Sequence, residues 1–343
     1  MSTLLPLALT MGDPAGVGPD IAWRAWQARK PGQRPFYVIA PVELMAERCA
    51  HACGGQAFGP LPISDPSQAA SAFTSGLPVL PIEGHSPRPG EPNAACAPAI
   101  IASIRLAAGH ARAGQAAGVV TNPIAKALLY RSGFPHPGHT EFLAELSAPD
   151  PANKPSAPPR PVMMLVGGGL RVALATIHQP LGAVSGALSR ELLVEIGRIT
   201  GLALRRDFGL AHPRIGLCGL NPHAGEDGTI GREELDIINP AAAMLRSGGF
   251  DVSDARSGDA IFHEMLGGRF DAIIAMYHDQ GLIPVKTLDL WGGVNVTLGL
   301  SFIRTSPDHG VAYDAAASGQ ARPDSLIAAL KLASEMASAR ERS

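Results

Sequence analysis

Three histidines set out the chemistry open to this chain. His178, His223 and His278 each follow a short apolar run: Arg171 to Thr176, Arg214 to Leu220 and Asp271 to Met276. Runs of this kind that end in a polar tip read as buried parallel strands. Open α/β sheets collect their ligands beyond the carboxyl ends of such strands. A lone histidine at a strand end is usually a satisfied polar residue, but three in the same setting suggest convergence on one point. Three imidazoles with open coordination positions make a catalytic metal arrangement. Glu226, Asp259 and Asp279 are the carboxylates available to orient those rings or to move protons. His51, His85, His110, His136, His212 and His263 lack the setting and read as structural or surface residues.

The stretch Met276 to Asp308, MYHDQGLIPVKTLDLWGGVNVTLGLSFIRTSPD, adds groups that would grip an anion. Tyr277, His278, Asp279 and Gln280 form its polar tip. Lys286, Asn295 and Arg304 follow in a Gly-rich segment read as folding back over the site. An imidazole, an ammonium, an amide and a guanidinium suit a metal plus an anionic, phosphorylated small molecule. His139 and Thr140 open a helix, with Thr140 a candidate N-cap, and such a helix start suits a phosphate or carboxylate.

These residues need a scaffold. The 343 residues suggest two domains. Strands are predicted over Leu5–Thr10, Phe36–Ala40, Gly118–Thr121, Val162–Val166, Arg171–Thr176, Arg214–Leu220 and Asp271–Met276. Gly167-Gly168-Gly169 reads as a hairpin turn. Helices are predicted after MGDPAGVGP, with Pro19 in the first turn, and over Val42–Ala50, Ala95–Gly114, Ser189–Phe208, 232–247 and Ser325–Arg340. Asn122-Pro123 reads as the opening of a helix carrying Lys126. Asp254–Ile261 reads as a loop, and 148–161 as a polar, Pro-rich loop. Lys plus Arg number 28 against 30 Asp plus Glu, a balance that argues against a nucleic-acid surface. No run of about 18 apolar residues is present, so no membrane span is expected. The N-terminal apolar run lacks a basic flank and reads as a first strand, not a signal peptide. Cys49, Cys53, Cys96 and Cys218 fit neither a zinc knuckle nor a disulfide framework and read as buried reduced thiols in the cytoplasm.

Six segments, in order, resemble one family: MGDPAGVGP (11–19), GHTEF (138–142), ATIHQPL (175–181), GLNPHAGEDG (219–228), YHDQGLIPVK (277–286) and GVNVTLGLSFIRTSPDHG (293–310). Over nearly its whole length the chain is similar to the 4-hydroxythreonine-4-phosphate dehydrogenase family of vitamin B6 biosynthesis. The resemblance implies a two-domain α/β fold like that of isocitrate and isopropylmalate dehydrogenases, with an interdomain cleft. The domains are expected at 1–135 plus 305–343, and at 136–304, the latter carrying the metal histidines and the dimer interface. An obligate homodimer is implied, with each active site at the subunit interface. Matched motif to motif, the metal ligands fall on His178, His223 and His278. Substrate contacts fall on His139, Thr140, Lys286, Asn295 and Arg304. Gly12, Asp13 and Asn295 are assigned to the cofactor, and Lys286, Asp259 and Asp279 to proton transfer.

The implied activity is oxidation of 4-phosphooxy-L-threonine with NAD or NADP and one divalent metal per subunit: zinc, with magnesium or cobalt as alternatives. The β-keto acid so formed decarboxylates to 3-amino-2-oxopropyl phosphate. The segment 255–260, ARSGDA, departs from the family's GPLPADT pattern but retains Asp259, and Thr121-Asn122-Pro123 replaces a TGP phrase. Alternative substrates are 4-phosphoerythronate or threonate, or a carboxylated aromatic cis-dihydrodiol. Outside the class, a three-histidine hydrolase would turn over without nicotinamide, and a phosphometabolite-binding protein would bind without turnover. No nucleic-acid or membrane partner is expected.

Overall fold

The computed structural model describes residues 4–53, 59–136, 138–148 and 159–342. Its strands, in chain order, are β1 (Leu7–Thr10), β2 (Phe36–Ala40), β3 (Pro60–Pro62), β4 (Leu77–Pro81), β5 (Gly118–Val120), β6 (Val162–Gly167), β7 (Leu170–Leu174), β8 (Arg214–Cys218), β9 (Asp251–Arg256), β10 (Ala272–Ala275), β11 (Val294–Leu298) and β12 (Arg304–Pro307). They divide between two units. The first comprises 1–160 and 300–337, and the second 161–299 and 338–343.

In the first unit the strands lie in the order β3-β4-β2-β1-β5-β12, and every pairing is parallel. β1, β2 and β5 are buried along their whole length, as continuous apolar runs covered on both faces must be. The helix Ala97–Arg112 packs inward through Ile100, Ile104, Ala107 and Ala108. Ala94–Arg112 is apolar and long enough to cross a membrane by composition alone. Its buried Ser103 instead accepts from Met11 N at 3.1 Å and donates to Ile39 O at 2.7 Å, as befits a core helix.

The loop between β1 and the helix Gly18–Gln27 is a buried knot. Arg48 donates to Asp20 through Nε at 2.8 Å and through Nη2, and also reaches Pro14 O at 3.1 Å and Gly16 O at 2.8 Å. A buried guanidinium needs such a full set of acceptors.

The second unit has the order β11-β6-β7-β10-β8-β9. β11 and β7 flank β6 antiparallel, and the pairings of β10 with β7 and β8 and of β8 with β9 are parallel. The β6–β7 hairpin turns at Gly168 (φ 58) and Gly169 (φ 84), a pair of left-handed residues that two-residue hairpins favour. Ser189 caps the helix Arg190–Phe208 by accepting from Leu192 N at 3.1 Å, and Gly209 (φ 68) closes it.

Several expectations need correction. Asp254–Ile261 is not a loop throughout, because β9 runs to Arg256. As an edge strand it buries Val252 alone among its six residues, so it carries no apolar run to reveal it. The helix with Lys126 starts at Lys126, not at Asn122-Pro123. Lys286 lies on the helix His278–Leu288 and not in a Gly-rich loop, even though Pro284 is inside that helix.

By packing, the first unit extends to residue 160. The helix His139–Ser147 stays with the first unit because Phe142 packs on Phe134 (5.1 Å between centroids) and under Arg105 (5.1 Å). The last residues of the helix Asp324–Arg342 join the second unit, where Arg340 Nε bonds Asp207 Oδ1 at 2.6 Å. Cys49, Cys96 and Cys218 are buried and form no disulfide. The Cys53 side chain and residues 149–158 of the Pro-rich loop lie outside the described residues.

Candidate active site

The second unit carries the histidines expected to bind a metal. β7 and β10 are parallel neighbours, with Leu174 opposite Ala275, so His178 and His278 emerge from adjacent strand ends. Their ring centroids are 5.6 Å apart with planes at 46°. His278 opens the helix His278–Leu288, whose Gly281 allows close approach to the sheet. A Cβ there would lie 2.6 Å from Leu174 and 3.0 Å from Val172. Asp279 Oδ1 lies 2.7 Å from His278 Nδ1. In this carboxylate–imidazole pairing Nδ1–H donates to Asp279, which fixes the ring and leaves the Nε2 lone pair for a metal.

Gln280 ties the strand ends together, donating to Gly219 O at 2.8 Å and accepting from Met276 N at 2.7 Å. Asp279 and Lys286 share one face of the helix and line a groove of ≈ 400 Å³ with Leu282, Ile283 and Thr287.

His223 sits in a strained turn. His223 (φ 51), Ala224 (φ 55), Gly225 (φ 81), Glu226 (φ 42) and Asp227 (φ 53) are all left-handed. That conformation costs L-residues roughly 1–2 kcal/mol each, and strain of this kind gathers at functional sites. The turn is held by Glu234, a buried carboxylate that accepts from Leu220 N at 2.8 Å, Asn221 N at 2.7 Å and Asn221 Nδ2 at 2.9 Å. No sequence signal pointed to Glu234, which lies downstream in the next helical segment.

Ser257 hydrogen-bonds Asp259 at 2.5 Å. That bond, with a smaller contribution from His223, holds the Asp259 carboxyl below the usual range. The donor chemistry suits a divalent ion, because imidazoles with a carboxylate behind one of them form a common metal-binding set. Yet among the described residues of one chain, no three His, Cys, Asp or Glu side chains are grouped to hold a metal. The neighbouring imidazoles are those of His178 and His278.

The first unit holds a cationic cluster. Arg304 opens β12 and is only 4% exposed. Its Nε and Nη2 both donate to Thr121 Oγ1, at 3.2 and 2.7 Å. Burial pushes the guanidinium down to about 10, so it remains charged at neutral pH. His139, 9% exposed, has no hydrogen-bond partner for Nε2 among the described residues. Burial, then Arg304, then Lys126 hold its pKa well below the ordinary histidine range, so the ring is neutral and one nitrogen carries a proton to donate. The cap of this helix is Gly138 and not Thr140, which lies inside the first turn. Asn295, on β11, and Lys286 belong to the second unit.

The loop assigned to the cofactor is well ordered by its own hydrogen bonds. Gly12 is buried, and Asp13 is 1% exposed. Asp13 accepts from Ala15 N at 2.9 Å and from Tyr313 Oη at 2.7 Å. The N–H groups of Asp13, Gly16 and Val17 go to Pro123 O, Asp13 O and Val311 O. Asp13 therefore braces the loop. Gly12 is required there, since a Cβ would stand 2.7 Å from both Asn122 Cβ and Pro123 O.

The family model of the pyridoxal phosphate biosynthetic protein PdxA matches residues 33–333. The chain is 50% identical over 342 residues to a 4-hydroxythreonine-4-phosphate dehydrogenase of Bradyrhizobium diazoefficiens, covering 98% of each. A solved 4-hydroxythreonine-4-phosphate dehydrogenase from Klebsiella pneumoniae superposes with a TM-score of 0.86 at 33% identity, covering 97% of this chain and 100% of that one. A terephthalate 1,2-cis-dihydrodiol dehydrogenase from Burkholderia xenovorans superposes at 0.65 with 28% identity, over 96% of this chain and 98% of that one.

Proposed function

The chain belongs to the PdxA family of pyridoxal phosphate biosynthetic proteins, and from that premise we propose that it oxidises 4-phosphooxy-L-threonine with NAD or NADP and releases carbon dioxide. The observation that carries this reading is the buried, charged Arg304 near the open Nε2 of neutral His139, a receptor for an anionic group. Arg304, His139 and Thr140 take the phosphate, with Lys286 and Asn295 as further substrate contacts. His178, His223 and His278 hold a divalent cation, zinc or else magnesium or cobalt. A bound cation supplies the Lewis acidity that eases loss of the hydroxyl proton and steadies charge as carbon dioxide leaves. Hydride passes from the substrate carbon to the nicotinamide.

The remaining work falls to side chains of this chain. Asp279 fixes the ring of His278. Asp259, hydrogen-bonded by Ser257, is a carboxylate in the electrostatic reach of His223. Asp259, Asp279 and Lys286 are the groups offered for proton transfer, and Asp279 and Lys286 share the groove face.

The test is a panel of 4-phosphooxythreonine, phosphoerythronate, phosphothreonate and a carboxylated aromatic dihydrodiol, each with NAD and NADP. Reduced cofactor and carbon dioxide should form in equal amounts from the phosphorylated amino acid. The dihydrodiol reading draws on the Burkholderia xenovorans likeness, and a preference for that substrate overturns the phosphate reading. Turnover without nicotinamide marks a hydrolase, and binding without turnover a binding protein.

The enzyme works in the cytoplasm as a homodimer. What supports the dimer is the likeness to the PdxA family over nearly the whole chain, which implies one. Sedimentation should give a dimer that carries the metal, and a fully active, metal-loaded monomer excludes this assembly.

A further inference from the structure

We propose that Lys126 is a specificity-determining residue, its ammonium giving the second fixed positive charge, with Arg304, for a phosphate seated at the start of the helix His139–Ser147. The proposal rests on the reading above that the first unit takes the phosphate, and it names a residue that reading does not use.

Lys126 is the first residue of its helix, after the extended Ala125 (φ −88, ψ 103). Its side chain reaches across to Gly138. A Cβ at Gly138 would lie 3.3 Å from Lys126 Nζ and 3.5 Å from Cε. Gly138 has an extended backbone (φ −171, ψ −179) that any residue adopts. The ammonium lies directly beside the residue that precedes the helix. The same Cβ would stand 2.7 Å from Glu141 Oε2, so a carboxylate of the first turn also lies at this spot.

No side chain caps the helix. Its first turn carries the partial positive charge of unsatisfied N–H groups. A cation at such an end is on the unfavourable side of the helix dipole, and Arg304 is a second cation close enough to act on the same imidazole as Lys126. Glu141 offsets one of the two charges. What is left over is one full positive charge, a helix N-terminus, and a buried imidazole nitrogen with no partner among the described residues. A phosphate dianion satisfies all of these together, and a neutral hydroxyl satisfies none of the charge.

The experiment is calorimetric titration of inorganic phosphate into the full chain as wild type, Lys126→Gln, Lys126→Arg and Arg304→Ala, alongside steady-state kinetics on the phosphorylated substrate. Lys126→Gln should raise both the phosphate Kd and KM roughly ten- to a hundredfold, the worth of one charge-assisted contact, with the loss falling on KM more than on kcat. Lys126→Arg, which keeps the charge, should recover most of it.

Wild-type phosphate affinity in Lys126→Gln, with affinity lost in Arg304→Ala, overturns the role of Lys126 and leaves the phosphate reading standing. Equal losses in Lys126→Gln and Lys126→Arg also overturn it, since shape and not charge would then matter. A wild-type protein that binds no phosphate, and whose turnover phosphate does not inhibit, overturns the phosphate reading and this proposal with it.

Discussion

His278→Ala should empty the metal site and remove most activity. His278 begins its helix at the end of β10, beside His178 and backed by Asp279. Loss of an outer carboxylate partner alone typically lowers metal affinity or activity by roughly 10–100-fold, so loss of the ligand itself should exceed about a hundredfold. Asp279→Asn should fall in the lower range, because it keeps the ligand and weakens only its orientation. His223→Ala should behave like His278→Ala if the third imidazole comes from the strained turn. All three side chains are at least partly exposed, so the variants should keep their fold and their circular dichroism. Metal content of dialysed protein and kcat/KM with added metal are the measurements. Full metal content together with wild-type turnover in either histidine variant sinks the three-histidine site.

Arg304→Ala should weaken use of the phosphorylated substrate by roughly ten- to a hundredfold or more, since charge-assisted bonds to a phosphate are worth about 1.5–3 kcal/mol each. The guanidinium is held from one side by Thr121 Oγ1 through Nε and Nη2, a geometry that pre-orients a planar fork. Arg304→Lys should therefore not fully rescue, because an ammonium offers no fork to Thr121 and the phosphate together. If Arg304 grips the ground state alone, the loss appears in KM. If it also aligns the reacting carbon, kcat falls too.

The cluster has its own acid limit. His139 is buried neutral and its folded pKa is depressed. As pH falls through about 6.5 the unfolded chain binds a proton that the folded chain refuses, so stability falls with pH there. Phosphate recognition is best read above that range, as kcat/KM for phosphorylated against dephosphorylated hydroxythreonine. Equal wild-type rates on the two would leave Arg304 without a phosphate to bind.

Much of the scaffold was legible because its signals are local. β2 falls on the predicted Phe36–Ala40, the hairpin turns at the predicted glycines, and Ser189 caps the predicted helix. Continuous apolar runs and cap residues announce such elements without help from the rest of the chain. β9 escaped because an edge strand needs few buried side chains. The helix carrying Lys286 escaped because Pro284 and the neighbouring glycines argue for a loop, and packing of Gly281 on Val172 and Leu174 overrode them.

The sequence by itself determined the residue types, the family and the strand-end placement of His178 and His278, because motif order and apolar runs are written along the chain. Only the tertiary structure decided which groups meet. It brought His178 to His278, put Thr121 behind Arg304, set Lys126 against Gly138, braced the loop around Asp13, and used Glu234 to hold the turn that carries His223. Each of these is a contact between residues distant in sequence or a matter of local burial. Sheet register, helix packing and the satisfaction of buried polar groups fix them, and none of those is a property of a short stretch of chain.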